Sequence, residues 1–285
     1  MVNIRPLILA VIMPIFAQSS AVFAASPTTI TYAVPVETTS YADIADLVTI
    51  APLIVDAKIR SVKKLPVEQA VGVPANIQRM IVEADVQALI RGGGGITPRV
   101  RFLVDLQKDS RGKLPSLNKQ RLFLMANYSN MPGNIKLARP DALIQWSPGN
   151  EALLRAITQE AVQIDAPAQV TSVINAFHTA GTLLGDGETQ IFLGTANKQP
   201  MAITVISTQG QAKSWSVSTS ELIDEVTRAP KQRSLLWYRL ACGLPNKLPD
   251  SVFESADADI RNAARADYAF VIKALGPCGR QRATA

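Results

Sequence analysis

The chain has 285 residues, 47% of them hydrophobic and 18% charged, with a net charge of +6 and a mean hydropathy of +0.13. It is too apolar to be disordered and long enough for one large core or two modest ones. One histidine (His178) and two cysteines (Cys242, Cys278) exclude four-cysteine ribbons, iron–sulfur motifs and any two-histidine metal centre, and no motif calls for a cofactor.

Arg5 precedes an apolar run over residues 6–17, then Gln18-Ser19-Ser20, then Val22-Phe23-Ala24 before Ala25. A charged start, a short apolar stretch and a small-x-small site predict a secretory signal peptide cleaved after Ala24. Twelve residues at helical rise reach about 18 Å, short of a ~30 Å bilayer core. No cysteine near the site suggests a lipoprotein anchor. Cleavage removes Arg5 and leaves 261 residues at net charge +5, expected to be soluble in the periplasm or outside the cell. In an oxidising compartment two cysteines predict a Cys242–Cys278 disulfide, which lacks the Cys-x-x-Cys spacing of a redox pair.

Residues 25–39 read as an extended leader. Ser40 with Asp43 predicts an N-cap for a short helix over 41–50, with Ile44, Leu47 and Val48 on one face. After Pro52 the period becomes two: Leu53, Val55, Ala57 and Ile59 alternate with Asp56, Lys58 and Arg60 as in a half-buried strand. Residues 79–90 and 100–106 alternate likewise around Gly92-Gly93-Gly94-Gly95, predicting a long hairpin. Further strands are expected at 120–127 and 143–146. Together these predict a small twisted antiparallel barrel.

The stretch from Tyr41 through Pro52-Leu-Ile-Val-Asp-Ala-Lys-Ile-Arg-Ser-Val, with Arg121-Leu-Phe-Leu-Met, resembles the strands of OB-like, netrin-type modules of secreted proteins. That resemblance covers residues 41–146 and implies either a ligand-binding barrel or a netrin-like secreted inhibitor. The zinc-reaching cysteine of the metalloproteinase inhibitors is missing from the mature N-terminus. Around Gly187-Glu-Thr-Gln-Ile-Phe-Leu and Leu236-Trp-Tyr-Arg-Leu-Ala-Cys the chain also resembles uncharacterised exported proteins of sphingomonad-type bacteria.

Ser147-Pro148-Gly149-Asn150 marks a domain boundary, followed by a helix through Val162. Residues 169–180 fit either a helix or a strand. Strands are predicted at 189–194, 201–207 and 214–218, a capping-box helix at 219–227, and helices at 234–242 and 256–275. The predicted architecture is α+β: an OB-like barrel at 40–147, then a small sheet with a disulfide-linked helical pair at 149–285.

Four features bear on chemistry. The glycine run lacks the Gly-Lys-Ser/Thr ending of a phosphate loop and joins two strands. Ser61-Val-Lys-Lys64 and Ser116-Leu-Asn-Lys119 match Ser-x-x-Lys without its companion motifs or a helix to carry it. His178 is the only available imidazole base. Glu83, Asp85 and Asp105 invite comparison with a hydrolase carboxylate pair. If the strands pair with register sums of about 184–188, however, Arg99 and Arg101 lie opposite or diagonal to these acids and neutralise them.

Lys58, Arg60, Lys63, Lys64, Arg99 and Arg101 are the candidate contacts for an anionic partner. With export expected, that partner is an anionic envelope component or a protein, and not nucleic acid. Trp237-Tyr238-Arg239 is a candidate interaction hot spot, at least partly packed inside the helical pair. The leading expectation is an exported binding or scaffold protein; a hydrolase using the carboxylates or His178 is the alternative.

Overall fold

A computed structural model describes residues 39–219, 228–253 and 257–282. The expected signal peptide, nearly all of the leader and all but the first residue of the helix expected at 219–227 lie outside these.

Ser40 caps α1 (Tyr41–Ile50) reciprocally: its Oγ accepts the Asp43 N–H at 3.1 Å and donates to the Asp43 carboxylate at 2.7 Å. Six strands follow: β1 (Leu53–Lys64), β2 (Ile77–Arg91), β3 (Arg99–Gln107), β4 (Arg121–Tyr128), β5 (Ile135–Leu137) and β6 (Leu143–Gln145). They form one antiparallel sheet in the order β3-β2-β1-β4-β5, with β6 also on β4. Arg101 donates its N–H to the Gly133 carbonyl at 2.8 Å and bridges Asn134 in parallel, drawing β3 towards the β5 end. The sheet is thereby a nearly closed barrel. Its interior is built from alternate residues, among them Val55, Val82, Phe102, Leu106, Leu122 and Leu124.

β2 and β3 pair from Ile77 opposite Gln107 to Asp85 opposite Arg99, within the predicted register. The hairpin differs at its tip. β2 continues to Arg91 paired with β1 alone, and the glycine run reaches across to the end of β4. There the Gly94 N–H donates to the Tyr128 hydroxyl at 3.3 Å, and a Cβ on Gly92 would collide with that hydroxyl. Close approach explains the glycine at 92. A second correction concerns β1: its first half is buried on both faces, Ile54 and Asp56 included. It lies centrally, between β2 and β4, so only its second half has the expected half-buried alternation.

Ser147 caps α2 (Pro148–Ala161), with Pro148 in the first turn where a missing N–H costs nothing, and α2 packs on α1. A second antiparallel sheet follows as a meander of β7 (Val170–Ala180), β8 (Gly187–Thr195), β9 (Met201–Ser207) and β10 (Ser214–Ser218). α3 (Leu235–Gly243) packs against β7, and α4 (Ala258–Leu275) against β7 and β8. The ambiguous stretch is thus the strand β7. Bulges at Val170/Ser172 and Val173/Asn175 shift its side-chain phase, so that Val170, Val173 and Ala176 are the buried positions. A bulged strand imitates helical spacing in this way.

Cys242 and Cys278 form the predicted disulfide, joining α3 to the residues after α4. Beyond it the chain returns to α1. The Gln281 and Arg282 N–H groups donate to Asp43 Oδ1 at 3.0 and 2.9 Å, and Arg280 grips Asp46 at 2.6 and 2.8 Å. One continuous cluster of buried side chains runs through both sheets and the helices. Among the described residues no helix is long and apolar enough to cross a membrane.

Candidate functional site

The outer face of β2 and β3 carries the carboxylates and arginines singled out by sequence. Arg79 holds Asp105 through two bonds of 2.7 and 2.8 Å, Arg101 holds Glu83 at 2.7 Å, and Asp85 is shared by Arg99 and Arg60 at 3.2 Å each. The bond from Arg101 holds Glu83 below the usual carboxylate range, and that from Arg99 does the same for Asp85. A general acid for glycoside cleavage needs the opposite shift. Neither Ser-x-x-Lys match builds a nucleophile: Ser61 Oγ donates to Glu83 at 3.3 Å on a strand, and Ser116 lies in a loop.

Of the six candidate cations, Arg60, Arg99 and Arg101 are therefore matched by acids. Lys58, Lys63 and Lys64 are exposed and make no ion pair among the described residues. Topology adds to them. Lys63 and Lys64 close β1. Lys108 follows β3, its N–H and Nζ donating to the Asn76 and Ala75 carbonyls at 2.9 Å each. Asp109 Oδ1 accepts the Arg111 and Lys113 N–H groups at 2.9 and 2.8 Å, folding the connection to β4 into a turn. Lys119 then donates its N–H to Ile59 at 3.2 Å. Lys63, Lys64, Lys108, Arg111, Lys113 and Lys119 thus gather where β1 and β3 end and β4 begins. A cleft of about 640 Å³ opens between Lys108, Lys113, Leu114 and Ser116. Glu68 and Asp109 are the acids in the two connections at this end. The loop cations escaped the sequence reading because they are scattered over residues 108–119, and only strand pairing places their connection at the same end of the barrel as Lys63 and Lys64.

His178, the candidate imidazole base, is partly buried in a polar relay. Its Nδ1 lies 2.8 Å from the Thr189 hydroxyl directly across the β7–β8 ladder. Thr189 donates in turn to Asp267 on α4, which also accepts Lys213. Since the Thr189 hydroxyl proton goes to Asp267, its oxygen is left to accept from His178 Nδ1–H. Asp267 is 96% buried, so this relay also pins α4 to the sheet. Gly187 crowds His178, leaving no room for a Cβ beside its ring. The relay was invisible in sequence because Thr189, Lys213 and Asp267 come from three separate elements.

One further cluster was missed, and the Trp237-Tyr238 pair packs inside as expected. Asp56, fully buried, is held by Arg121 at 2.9 Å, whose guanidinium lies 4.1 Å over the Trp146 ring; Trp146 Nε1 donates to Glu151 at 3.0 Å. Trp237 and Tyr238, part of the expected hot spot, are buried. Trp237 Nε1 donates to the Leu275 carbonyl at 2.8 Å. The Tyr238 hydroxyl donates to Asp46 at 2.6 Å, and burial is the main cause that pushes it up to about 12. These two side chains serve the core. No protein-family model matches the chain, and none of the curated proteins is detectably similar to it.

Proposed function

We propose that the protein is exported to the bacterial envelope and acts there as a binding protein, engaging an anionic surface through the basic end of its barrel. The observation that carries this reading is the division of charge on the barrel. The strand face neutralises itself, whereas one end gathers six cations around two acids. Such a single-sign cluster attracts an anionic partner and raises its rate of encounter. The disulfide and the N-terminal pattern favour export. An OB-like barrel is favoured by the strand order, with β1 between β2 and β4, and by the parallel contact that closes β3 towards β5. In such barrels strand faces and inter-strand loops take the ligand, and here the β1–β2 and β3–β4 connections form the basic end.

The test is co-sedimentation of the mature chain with vesicles of phosphatidylglycerol and phosphatidylcholine. Retention is expected at low salt and loss as ionic strength rises towards ~0.5 M, where screening shortens to a few ångströms. The variant K63E/K64E/K113E/K119E should not be retained. Equal retention on neutral vesicles, or retention unaffected by the four reversals, overturns the reading.

A further inference from the structure

The barrel is joined along one seam by very little. β3 pairs with β2 from Arg99 to Gln107, and the backbone groups of successive residues alternate between the two edges of a strand. The Lys108 N–H turns to Asn76, on the side of β2, whereas the Arg101 N–H turns the other way, to Gly133. Leu103 and Asp105 share the parity of Arg101, so their N–H and C=O groups point away from β2. Across that edge lies β5, linked through the single parallel bridge between Arg101 and Asn134. The Ala138 N–H bonds Met125 on β4 at 2.9 Å, which leaves the Leu137 N–H directed at the seam. Beyond the bridge no strand pairing joins the two edges. A cleft of about 410 Å³ opens there, between Leu103, Val104 and Asp105 on one side and Lys136, Leu137 and Ala138 on the other.

Backbone and side chains together select the occupant. An unpaired edge is a template for another strand, and Leu103–Gln107 offers about 17 Å of it at ~3.3 Å per residue. Val104 and Leu137 are buried at 2% and 8% exposure, so the inward side chains of an added strand meet apolar surface. Its outward side chains pass half-exposed Leu103 and exposed Lys136. Asp105 is already held by Arg79, and Arg139 at the foot of the cleft holds Asp141 at 3.0 and 3.1 Å. Lys136 makes no ion pair among the described residues. The charge left to satisfy is therefore one cation, which calls for one acid on the outward face. The cleft takes a single strand, whereas a second copy of this chain would bring a whole sheet with it.

We propose that this seam binds an extended segment of a partner protein by strand addition. Apolar residues of the segment alternate with an acidic one that meets Lys136. The site lies on the flank of the barrel and is independent of its basic end.

The experiment is titration of the isotope-labelled mature chain with the peptide acetyl-Thr-Val-Glu-Val-Thr-amide, read by amide chemical shifts and hydrogen exchange. Saturable one-to-one shifts are expected at the amides of Leu103, Asp105 and Leu137, with exchange there slowed at least tenfold. Peptides N-methylated at both valines or, separately, at the glutamate should each bind at least tenfold more weakly, because each loses the donors for one edge; this arm needs no protein variant. Glutamine in place of the glutamate should cost about threefold, the scale of an exposed ion pair. Lys136→Glu, a change at an exposed position, should reverse the preference towards a peptide carrying lysine instead of glutamate. K63E/K64E/K113E/K119E should bind the peptide as the parent does, which separates this site from the vesicle-binding reading. Absence of saturable shifts, shifts confined to other regions or indifference to N-methylation would each overturn the proposal. So would strong protection of Leu103 and Asp105 in the peptide-free chain, which would mean that the chain fills its own seam, or a concentration-dependent dimer that the peptide dissolves.

Discussion

Asp56 and Arg121 show how unequal the two halves of one ion pair are. Asp56 is 1% exposed at its side chain and Arg121 37%. Removing the arginine strands a buried carboxylate, whereas removing the acid leaves a guanidinium still in reach of water and stacked on Trp146. Arg121→Met is therefore expected to destabilise by about 3 kcal/mol and Asp56→Asn by about half as much, read from urea unfolding midpoints at constant slope. The exposed acids of the barrel behave differently. Glu83 and Asp85 are depressed by their arginines, so their contribution is complete above the unfolded carboxylate value of about 4 and is lost as pH falls through the lowered folded value. The melting temperature should decline from about pH 5 downwards. E83Q/D85N should show a shallower decline than the parent; an identical slope would remove these acids from the account.

At the scale of elements, bulges and caps decide where each segment can pack. β7 is a strand whose buried positions come every third residue because two bulges shift its phase. The C-terminal segment after α4 works through capped carboxylates: Asp43 takes two backbone N–H groups and Asp46 takes Arg280 and Tyr238. The disulfide brings that segment into reach by closing a separation of 36 residues. C242S/C278S is expected to lose about 3–4 kcal/mol, the loop-closure entropy for a ring of that size. Because the tail then loses its tether, amides 281 and 282 should also lose hydrogen-exchange protection; full protection in the double variant would show that the carboxylates hold the tail unaided.

Over the whole molecule, the two sheets are linked by helices in one apolar cluster. α1 packs on α2 and α3, Trp237 meets Tyr41 edge to face at 5.8 Å, and the tail spans from α4 to β6 through Arg282, which donates to the Leu143 carbonyl at 3.2 Å. Heating is thus expected to unfold barrel and second sheet together. Near- and far-ultraviolet circular dichroism should give coincident midpoints, and two separated transitions would mean that each half folds alone.

The β2–β3 pairing and its charge-neutralising face were legible in sequence because alternation has a period of two and pairing conserves parity: burying one apolar face puts Glu83, Asp85, Arg99 and Arg101 together on the other, while the structure chose the register that sets Glu83 opposite Arg101 and Asp85 opposite Arg99. The α1 cap and the disulfide were legible for similar local reasons, a hydroxyl three residues before a carboxylate and two cysteines with no other partner. Tertiary structure alone decided the rest. Asp56 sits in a polar phase yet is buried because its strand is central. Thr189, Lys213 and Asp267 become one relay only when α4 lies on β8. The glycine run leaves the hairpin tip because Tyr128 receives it. The basic end of the barrel exists because two connections return to the same rim. Sequence carries the periodicity of each element, which is set by backbone geometry; which face is covered, and by what, depends on packing between residues far apart in the chain.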